Sequence, residues 1–193
     1  MSKNEVTRND AVHVNYYFDM DGVLALYDRK AYQGDDPIFL KPGKHYFRSL
    51  PRDEIAWMIF NYLNSHAEEL NASVYILTSL PGGDIFNEHF HDKILWLHEQ
   101  FPNIRIEQIL ISVTNKNDTV KYIKNRSLQK RDILIDDFNR NLNQWLKSGG
   151  TAIKWCNTIN DPYSFSGPRC NLKASFRDTL ADILRATSDA VAA

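Results

Sequence analysis

Short runs of apolar, strand-forming residues alternate with amphipathic helical patterns along most of this chain. Several of the runs are apolar at consecutive positions, which is typical of strands buried on both faces of a parallel sheet. Parallel neighbours need crossover connections, so the alternation predicts an α/β fold with a Rossmann-like parallel sheet flanked by helices. The predicted strands span residues 14–18, 73–77, 108–113, 132–135 and 151–155.

The helical patterns fall between and after these strands. In the pattern over 86–101, the spacing of the large apolar residues places Phe90, Ile94, Leu97 and Phe101 on the stripe expected to face the core. The predicted helices span residues 51–70, 86–101, 118–125, 139–148 and 175–186.

The segment after the first strand departs from this alternation. Residues 27–50 include glycines and prolines that make them too irregular for a crossover helix, and they carry several aromatic and basic side chains. Long connections of this kind are usually lids or binding loops. We therefore predict one domain over residues 1–193, with a small cap inserted at 27–50.

The overall charge narrows the class of partner. The formal net charge is −1 and no long basic run is present, which argues against duplex nucleic acid or an anionic membrane as the main partner. No apolar stretch approaches the roughly 20 residues of a membrane span. The N-terminus lacks the apolar core of a signal peptide, and the two cysteines lack CxxC spacing, so we expect a cytoplasmic protein, although a disulfide stays open. The oligomeric state is not indicated.

Acidic and hydroxyl side chains directly follow three of the predicted strands. The first two acids are two residues apart, so on an extended chain they point the same way, and Gly22 then permits a sharp turn. Ligands of α/β sheets bind at the carboxyl ends of the strands, so we expect these side chains to converge on one site. They are Asp19, Asp21, Thr78, Ser79, Asp136 and Asp137.

Four carboxylates in one cleft repel each other and need a compensating positive charge. A hard divalent cation supplies it, and a site made of carboxylate, carbonyl and water oxygens suits Mg²⁺. Such a site favours a substrate that shares the metal, namely a phosphate. The alternative for each motif alone is structural, since DxD and Asp-Asp pairs also occur in solvated turns and helix caps.

The order of the motifs resembles that of the haloacid dehalogenase-like (HAD) phosphatases. The resemblance runs from YYFDMDGVL through YILTS to ILIDDFNRNLNQWLKSGGTAIKW and covers nearly the whole chain. It is greatest to the 5′(3′)-deoxyribonucleotidase-like group. It implies a five-stranded parallel core with an inserted cap and a Mg²⁺-dependent phosphomonoesterase activity on small phosphomonoesters, most readily (deoxy)nucleoside monophosphates.

The resemblance also implies a role for each motif residue. Asp19 would be the nucleophile that forms an aspartyl-phosphate, and Asp21 would be the general acid and then the base. The metal ligands would be Asp19, Asp136 and the Asp21 backbone carbonyl, with Asp137 acting through water or by holding a ligand. Thr78 and its neighbour Ser79 would hydrogen-bond the phosphoryl oxygens.

The family also uses a lysine, for which this chain offers three candidates. Lys116 lies four residues before the core position Val120, on the same side of the predicted helix and nearer to the strand end. Lys121 and Lys124 each follow a core position and point about 100° away from it. We predict Lys116 as the phosphate-binding lysine, with Lys121 second.

Two other functions fit the same residues. One is a phosphatase for sugar phosphates or other small phosphomonoesters. The other is a non-catalytic module that binds Mg²⁺ or a nucleotide without turnover. Asp21 argues against the second alternative, because a simple metal site does not need a proton-transferring carboxylate beside the first one.

Overall fold

A computed structural model of the protein describes residues 12–28, 37–160, 164–170 and 174–192. In this part of the chain the strands are β1 (Val14–Phe18), β2 (Ala72–Ser79), β3 (Ile109–Ser112), β4 (Asp132–Asp136), β5 (Thr151–Trp155) and β6 (Arg169–Cys170). They form one parallel sheet in the order β3-β2-β1-β4-β5-β6. The predicted α/β class with a parallel sheet flanked by helices is therefore confirmed.

The prediction of five strands was wrong by one. β6 has two residues, and it pairs Arg169 with Lys154 and Cys170 with Trp155 of β5. A two-residue strand that begins with an exposed arginine produces no apolar run. It therefore leaves no periodic signal in the sequence.

All five predicted helices are present, but the first is shorter at both ends than the predicted 51–70 and the last extends beyond the predicted end at 186. Asp53 caps the first helix, since its Oδ1 accepts hydrogen bonds from the backbone N–H groups of Ile55 and Ala56, each at 3.0 Å. None of the described helices combines the length and apolarity needed to cross a bilayer. The helices are α1 (Glu54–Ser65), α2 (Phe86–Gln100), α3 (Lys116–Lys124), α4 (Asn139–Lys147) and α5 (Phe176–Ala192).

Both faces of the sheet are covered, which explains why β1 is apolar at consecutive positions. Tyr16 and Phe18 belong to a core shared with α1, α2 and α5. Tyr17 belongs to the opposite core, with α3 and α4. Its ring lies 5.2 Å from the rings of both Tyr75 and Trp145. The buried middle of the sheet holds the strand ends in fixed positions.

The predicted cap over 27–50 is described only in part, because residues 29–36 lie outside the described residues. In the described part, Phe47 is buried, and its ring centre lies 4.8 Å from that of His89 on α2. This part contains short 3₁₀ turns at Ile38–Leu40 and Tyr46–Ser49. Residues 37–50 thus pack against α2, and the assignment of 27–50 as a cap stays a prediction.

Candidate active site

Three buried carboxylates meet at the carboxyl edge of the sheet. β1 pairs directly with β4, with Phe18 opposite Ile135, so Asp19 and Asp136 are the next residues along two adjacent strands. One carboxylate oxygen from each of Asp19, Asp136 and Asp137 lies within 4.8 Å of the other two. The structure therefore brings together acids that are more than a hundred positions apart in the sequence.

The turn after β1 carries Asp21 and Gly22 past this cluster. Gly22 has a φ of +83°, a conformation that favours glycine, and its N–H donates to the Ala25 carbonyl at 2.7 Å. A Cβ at this position would overlap the Asp137 carboxylate. The sharp turn and the close approach of Asp137 both require a residue without a side chain at position 22.

The first residue of α3 joins two of the acids. The Lys116 ammonium lies 2.7 Å from Asp19 Oδ1 and 2.6 Å from Asp136 Oδ2, and the side chain is buried. The other two predicted candidates lie elsewhere: Lys121 is paired with Asp118 at 3.6 Å, and Lys124 donates to the Tyr75 hydroxyl at 2.9 Å. Of the three, it is Lys116 that contacts the acidic cluster.

A second buried lysine, Lys93 on α2, is a residue that sequence reasoning missed. Its ammonium contacts Asp21 Oδ2 and donates to Thr78 Oγ1 at 2.9 Å and to the Ser79 carbonyl at 2.8 Å. It also lies 4.4 Å from the centre of the Phe47 ring. Lys93 is 1% exposed, so it is a buried charge that is paired and hydrogen-bonded, as burial requires.

The burial of Lys93 results from an orientation of α2 that differs from the predicted one. The face turned inward carries His89, Asp92, Lys93, Trp96 and Leu97, whereas Phe90, expected in the core, is 41% exposed. The available signal was the helical spacing of three polar residues with Trp96 and Leu97.

The two hydroxyl residues differ in access. Ser79 lines a cavity above the acids, whereas Thr78 is fully buried and its hydroxyl accepts the hydrogen bond from Lys93. The expectation that both bind a phosphoryl group stays a prediction, and the two residues start from different positions. Ser79 faces the cavity, and Thr78 contacts it through Lys93.

The electrostatics of the cluster follow from its burial. Burial, followed by repulsion from Asp136, raises the pKa of Asp19 well above its usual range, although the Lys116 ammonium opposes the shift. Burial acts to lower the pKa of Lys116, but attraction to Asp136 and Asp19 outweighs it and the net shift is upward. The lysine is therefore held in its charged form between the two acids.

Asp137 is placed among neutral donors. Its Oδ2 accepts hydrogen bonds from the side-chain amides of Asn157 at 2.7 Å and Asn160 at 2.6 Å. Burial, with added repulsion from Asp136, raises the pKa of Asp137 to about 7 in spite of these bonds. A group with this pKa loses its proton readily when a cation is placed beside it.

The residues fit a hard divalent cation. Asp19, Asp136 and Asp137 offer converging carboxylate oxygens, and the buried Oδ1 of Asp21 has no hydrogen-bond partner among the described residues. The carboxylate of Asp21 does not belong to the converging group and contacts Lys93 instead. Oxygen donors of this kind are the ligands of Mg²⁺ in proteins.

A cavity of about 530 Å³ opens above the cluster. Asp19, Asp21, Lys93 and Lys116 line its polar end, together with Ser79 and the amides of Asn141 and Asn160. Its remaining walls are largely apolar and are formed by Tyr27, Phe39, Phe47, Leu80, Pro81 and Phe138. The site can therefore hold an anionic group at the acids and lysines and a flat or apolar group against the rings.

No protein-family model matches the sequence, and no curated protein matches it significantly. The fold is similar to that of solved hydrolases. A D,D-heptose 1,7-bisphosphate phosphatase from B. bronchiseptica, complexed with magnesium and phosphate, is 12% identical, with a TM-score of 0.56 over 89% of this chain and 98% of that chain. A HAD family hydrolase from Deinococcus radiodurans R1, with bound phosphate and sodium, is 13% identical, with a TM-score of 0.58 over 92% of this chain and 97% of that chain.

A haloacid dehalogenase-like family protein from Streptococcus pneumoniae is similar to the same extent, at 13% identity and a TM-score of 0.56 over 89% of this chain and 98% of that chain. These likenesses show that the chain has the HAD-like fold. They agree with the broader resemblance inferred from the motifs. The narrower resemblance to the 5′(3′)-deoxyribonucleotidase-like group stays a prediction.

Proposed function

We propose that this protein is a Mg²⁺-dependent phosphomonoesterase that hydrolyses (deoxy)nucleoside monophosphates through an aspartyl-phosphate on Asp19. The observation that carries the proposal is the convergence of Asp19, Asp136 and Asp137, with Lys116 in contact with the first two, beside an aromatic-lined cavity. An electrophilic phosphoryl group fits between these acids and lysines once a cation offsets their repulsion.

The metal would be held by Asp19, Asp136 and Asp137. The backbone carbonyl of Asp21 is a further ligand that the family resemblance implies. When bound, Mg²⁺ supplies positive charge that lets an anionic substrate approach an anionic nucleophile. The raised pKa values of Asp19 and Asp137 support this assignment, because acids buried without a cation favour their neutral forms.

The reaction needs two displacements at phosphorus. In the first, an Asp19 oxygen forms a bond to phosphorus and the ester oxygen leaves; Asp21 must enter this step protonated on Oδ1, the oxygen that does not contact Lys93, and it donates that proton to the departing oxygen. In the second, Asp21 takes a proton from water, the water oxygen attacks phosphorus, and the bond to Asp19 breaks. The products are an alcohol and inorganic phosphate, and both aspartates return to their starting states.

The neighbouring residues would position and stabilise the transferred group. Lys116 orients Asp19 through its 2.7 Å contact and offers positive charge at the cavity floor. Ser79 lies where it can donate to a phosphoryl oxygen. Thr78 accepts a hydrogen bond from Lys93 and retains its own hydroxyl proton, but it is fully buried, so it would act in the same way only after its side chain gains access to the cavity.

The cavity walls support a nucleotide as the substrate. Phe39 and Phe47, from the predicted cap, face the cavity along with Tyr27. Aromatic rings stack on nucleobases with a gain of about 1–3 kcal/mol per base. We therefore propose that residues 27–50 act as a cap that selects the substrate, while the strand ends perform the chemistry.

A sugar phosphate is the second candidate substrate. The solved heptose bisphosphate phosphatase has a similar fold, and Asn141 and Asn160 at the cavity could hydrogen-bond sugar hydroxyls. The apolar walls favour the nucleotide, because a sugar buried against phenylalanine rings leaves hydroxyls without partners.

The two cysteines bear on where the protein would act. Cys156 and Cys170 are free thiols in the structure, which is the usual state of cysteines in the cytoplasm. We propose a cytoplasmic enzyme of nucleotide metabolism on this basis.

Phosphate release tests the proposal. The purified protein is assayed against a panel of deoxynucleoside and ribonucleoside 5′- and 3′-monophosphates and sugar phosphates, with Mg²⁺ and with a chelator. We expect Mg²⁺-dependent release with a preference for nucleotides. A clear preference for sugar phosphates would reject the nucleotide assignment and retain the phosphatase.

Asp19→Asn separates catalysis from binding, with Asp118→Asn on the exposed surface of α3 as the matched control. We expect Asp19→Asn to abolish turnover and Asp118→Asn to retain it. If the wild type and Asp19→Asn both lack turnover yet bind nucleotide equally well, the protein is a binding module.

A further inference from the structure

Three side chains of types that can ligate a metal lie close together outside the acidic cluster, where residues 37–50 contact α2. They are His45 from the predicted cap and Glu88 and Asp92 from successive turns of α2, and one ligating atom of each lies within 4.8 Å of the other two. His45 Nδ1 donates to Asp92 Oδ1 at 3.0 Å. The group contains both nitrogen and oxygen donors, unlike the all-carboxylate cluster at the strand ends.

A surface ion pair with His45 does not account for the buried position of Asp92 in this group. The residue is 2% exposed, and its Oδ2 is buried without a hydrogen-bond partner among the described residues. An unpartnered carboxylate oxygen in this position is unfavourable unless a further donor or a cation satisfies it. A metal ion shared with His45 and Glu88 would satisfy it.

Glu88 is already held in place for such a role. Its Oε2 accepts the Gly43 N–H at 2.6 Å and its Oε1 accepts the His45 N–H at 3.2 Å. These backbone bonds, the Gly43 bond first, lower the pKa of Glu88. The carboxylate is therefore ionised and fixed beside the imidazole, and each oxygen retains a lone pair for a further ligand interaction.

We propose that His45, Glu88 and Asp92 form a second metal site, one that binds a zinc-class divalent ion rather than Mg²⁺. Imidazole nitrogen is a ligand of zinc and related transition metals, whereas Mg²⁺ prefers oxygen alone. One nitrogen and two carboxylates are three protein ligands of the kind that leave a fourth position of tetrahedral zinc to water. The proton that His45 now shares with Asp92 is the species that the metal would displace.

The required movement is small. Zinc binds such ligands at about 2.0–2.2 Å, so the ligand atoms around a tetrahedral ion lie about 3.4 Å apart. The observed atoms are already within 4.8 Å, and His45, whose side chain is 62% exposed, has room to turn toward an ion.

The proposed ion would join His45 of the predicted cap to α2 at a point adjacent to the active site. Lys93, which contacts Asp21, directly follows Asp92 in α2. Phe47, which lines the cavity, follows His45 by two residues. Metal binding would therefore hold residues 43–47 against α2 without taking part in the chemistry, and the inference does not depend on phosphatase activity.

Zinc binding is measured by isothermal titration calorimetry in millimolar Mg²⁺, which is added in excess to compete with Zn²⁺ for the acidic cluster. Co²⁺ then serves as a probe, because its visible absorption reports the ligand number. The variants are His45→Ala and Glu88→Gln, both at partly exposed positions that a folded protein tolerates. The matched control is His91→Ala, which replaces an exposed histidine on α2, the helix that also carries Glu88.

We expect one equivalent of Zn²⁺ to bind, with an affinity that falls by about tenfold or more in each variant and is unchanged in His91→Ala. The Co²⁺ absorption should be lost in the same two variants. Zn²⁺ binding that is absent in the wild type, or equal in wild type and His45→Ala, overturns the proposal. A loss of affinity in His91→Ala as large as in His45→Ala also overturns it.

Discussion

Replacing Lys116 with methionine should destabilise the protein and reduce its activity far more than the same change at Lys121. The two lysines lie five residues apart on α3 and were both candidates from sequence. Lys116 bridges Asp19 at 2.7 Å and Asp136 at 2.6 Å and is 3% exposed, whereas the side chain of Lys121 is 37% exposed and pairs only weakly with Asp118 at 3.6 Å.

The structure sets the size of the expected effect. Removing one partner of a buried ion pair costs about 3–5 kcal/mol, because it leaves an uncompensated buried charge. We expect about 3 kcal/mol for Lys116→Met, since Asp19 keeps the Met20 N–H at 2.7 Å and Asp136 keeps the Phe138 N–H at 2.7 Å. Lys121→Met should change the free energy of unfolding by less than about 0.5 kcal/mol.

Urea unfolding in chelator and phosphate release in Mg²⁺ measure the two effects separately. For Lys116→Met, we expect the rate of phosphate release to fall about 10²–10³-fold, as when one donor to a developing charge is removed. Lys121→Met should retain the wild-type rate. Equal stability and equal rates for the two variants would refute the assignment of Lys116.

Two further predictions concern residues beside Lys116. Lys93→Met removes the donor to Asp21, Thr78 and the Ser79 carbonyl and should lower the rate of phosphate release about 10²-fold. The control is Lys124→Met, which removes a lysine that contacts Tyr75 and should leave the rate unchanged. Similar rates for the two variants would contradict the role of Lys93. Because burial raises the pKa of Asp137 from 3.8 to about 7, the folded protein binds this proton more tightly than the unfolded chain, so without metal the free energy of unfolding should fall as pH rises from about 4 to about 7. Asp137→Asn should flatten that slope in urea titrations across this range, and an unchanged slope would show that another group titrates.

The sequence was sufficient to predict the acidic end of the site because strand geometry dictates it. Asp19 and Asp136 each follow a run that is apolar at consecutive positions, and parallel strands present their carboxyl ends at one edge. In the structure β1 pairs directly with β4, so Asp19 and Asp136 lie close enough for Lys116 to contact both. Lys116 was also accessible to prediction, because a residue at the start of a helix lies near the strand end that precedes it.

Lys93 was not accessible by the same reasoning, because the orientation of α2 depends on what packs against it. The amphipathic rule selects large apolar residues, and it placed Phe90 in the core. The structure instead turns inward the face that holds Trp96 and Leu97. His89 and Phe47 are in ring contact across this interface. The packing of residues 37–50 on α2 thus explains why His89, Asp92 and Lys93 are buried, although the amphipathic rule places polar residues on the solvent-exposed face.

The positions of the two lysines suggest where a cation is needed most. Lys116 contacts Asp19 and Asp136, and Lys93 contacts Asp21. Asp137, by contrast, receives its hydrogen bonds from the amides of Asn157 and Asn160, which carry no net charge. Burial, followed by repulsion from Asp136, raises its pKa to about 7, and the two amide bonds only partly oppose this shift. A metal ion that binds at this corner of the cluster would supply the positive charge that the amides lack, so Asp137→Asn should weaken Mg²⁺ binding even if Asp137 acts through water.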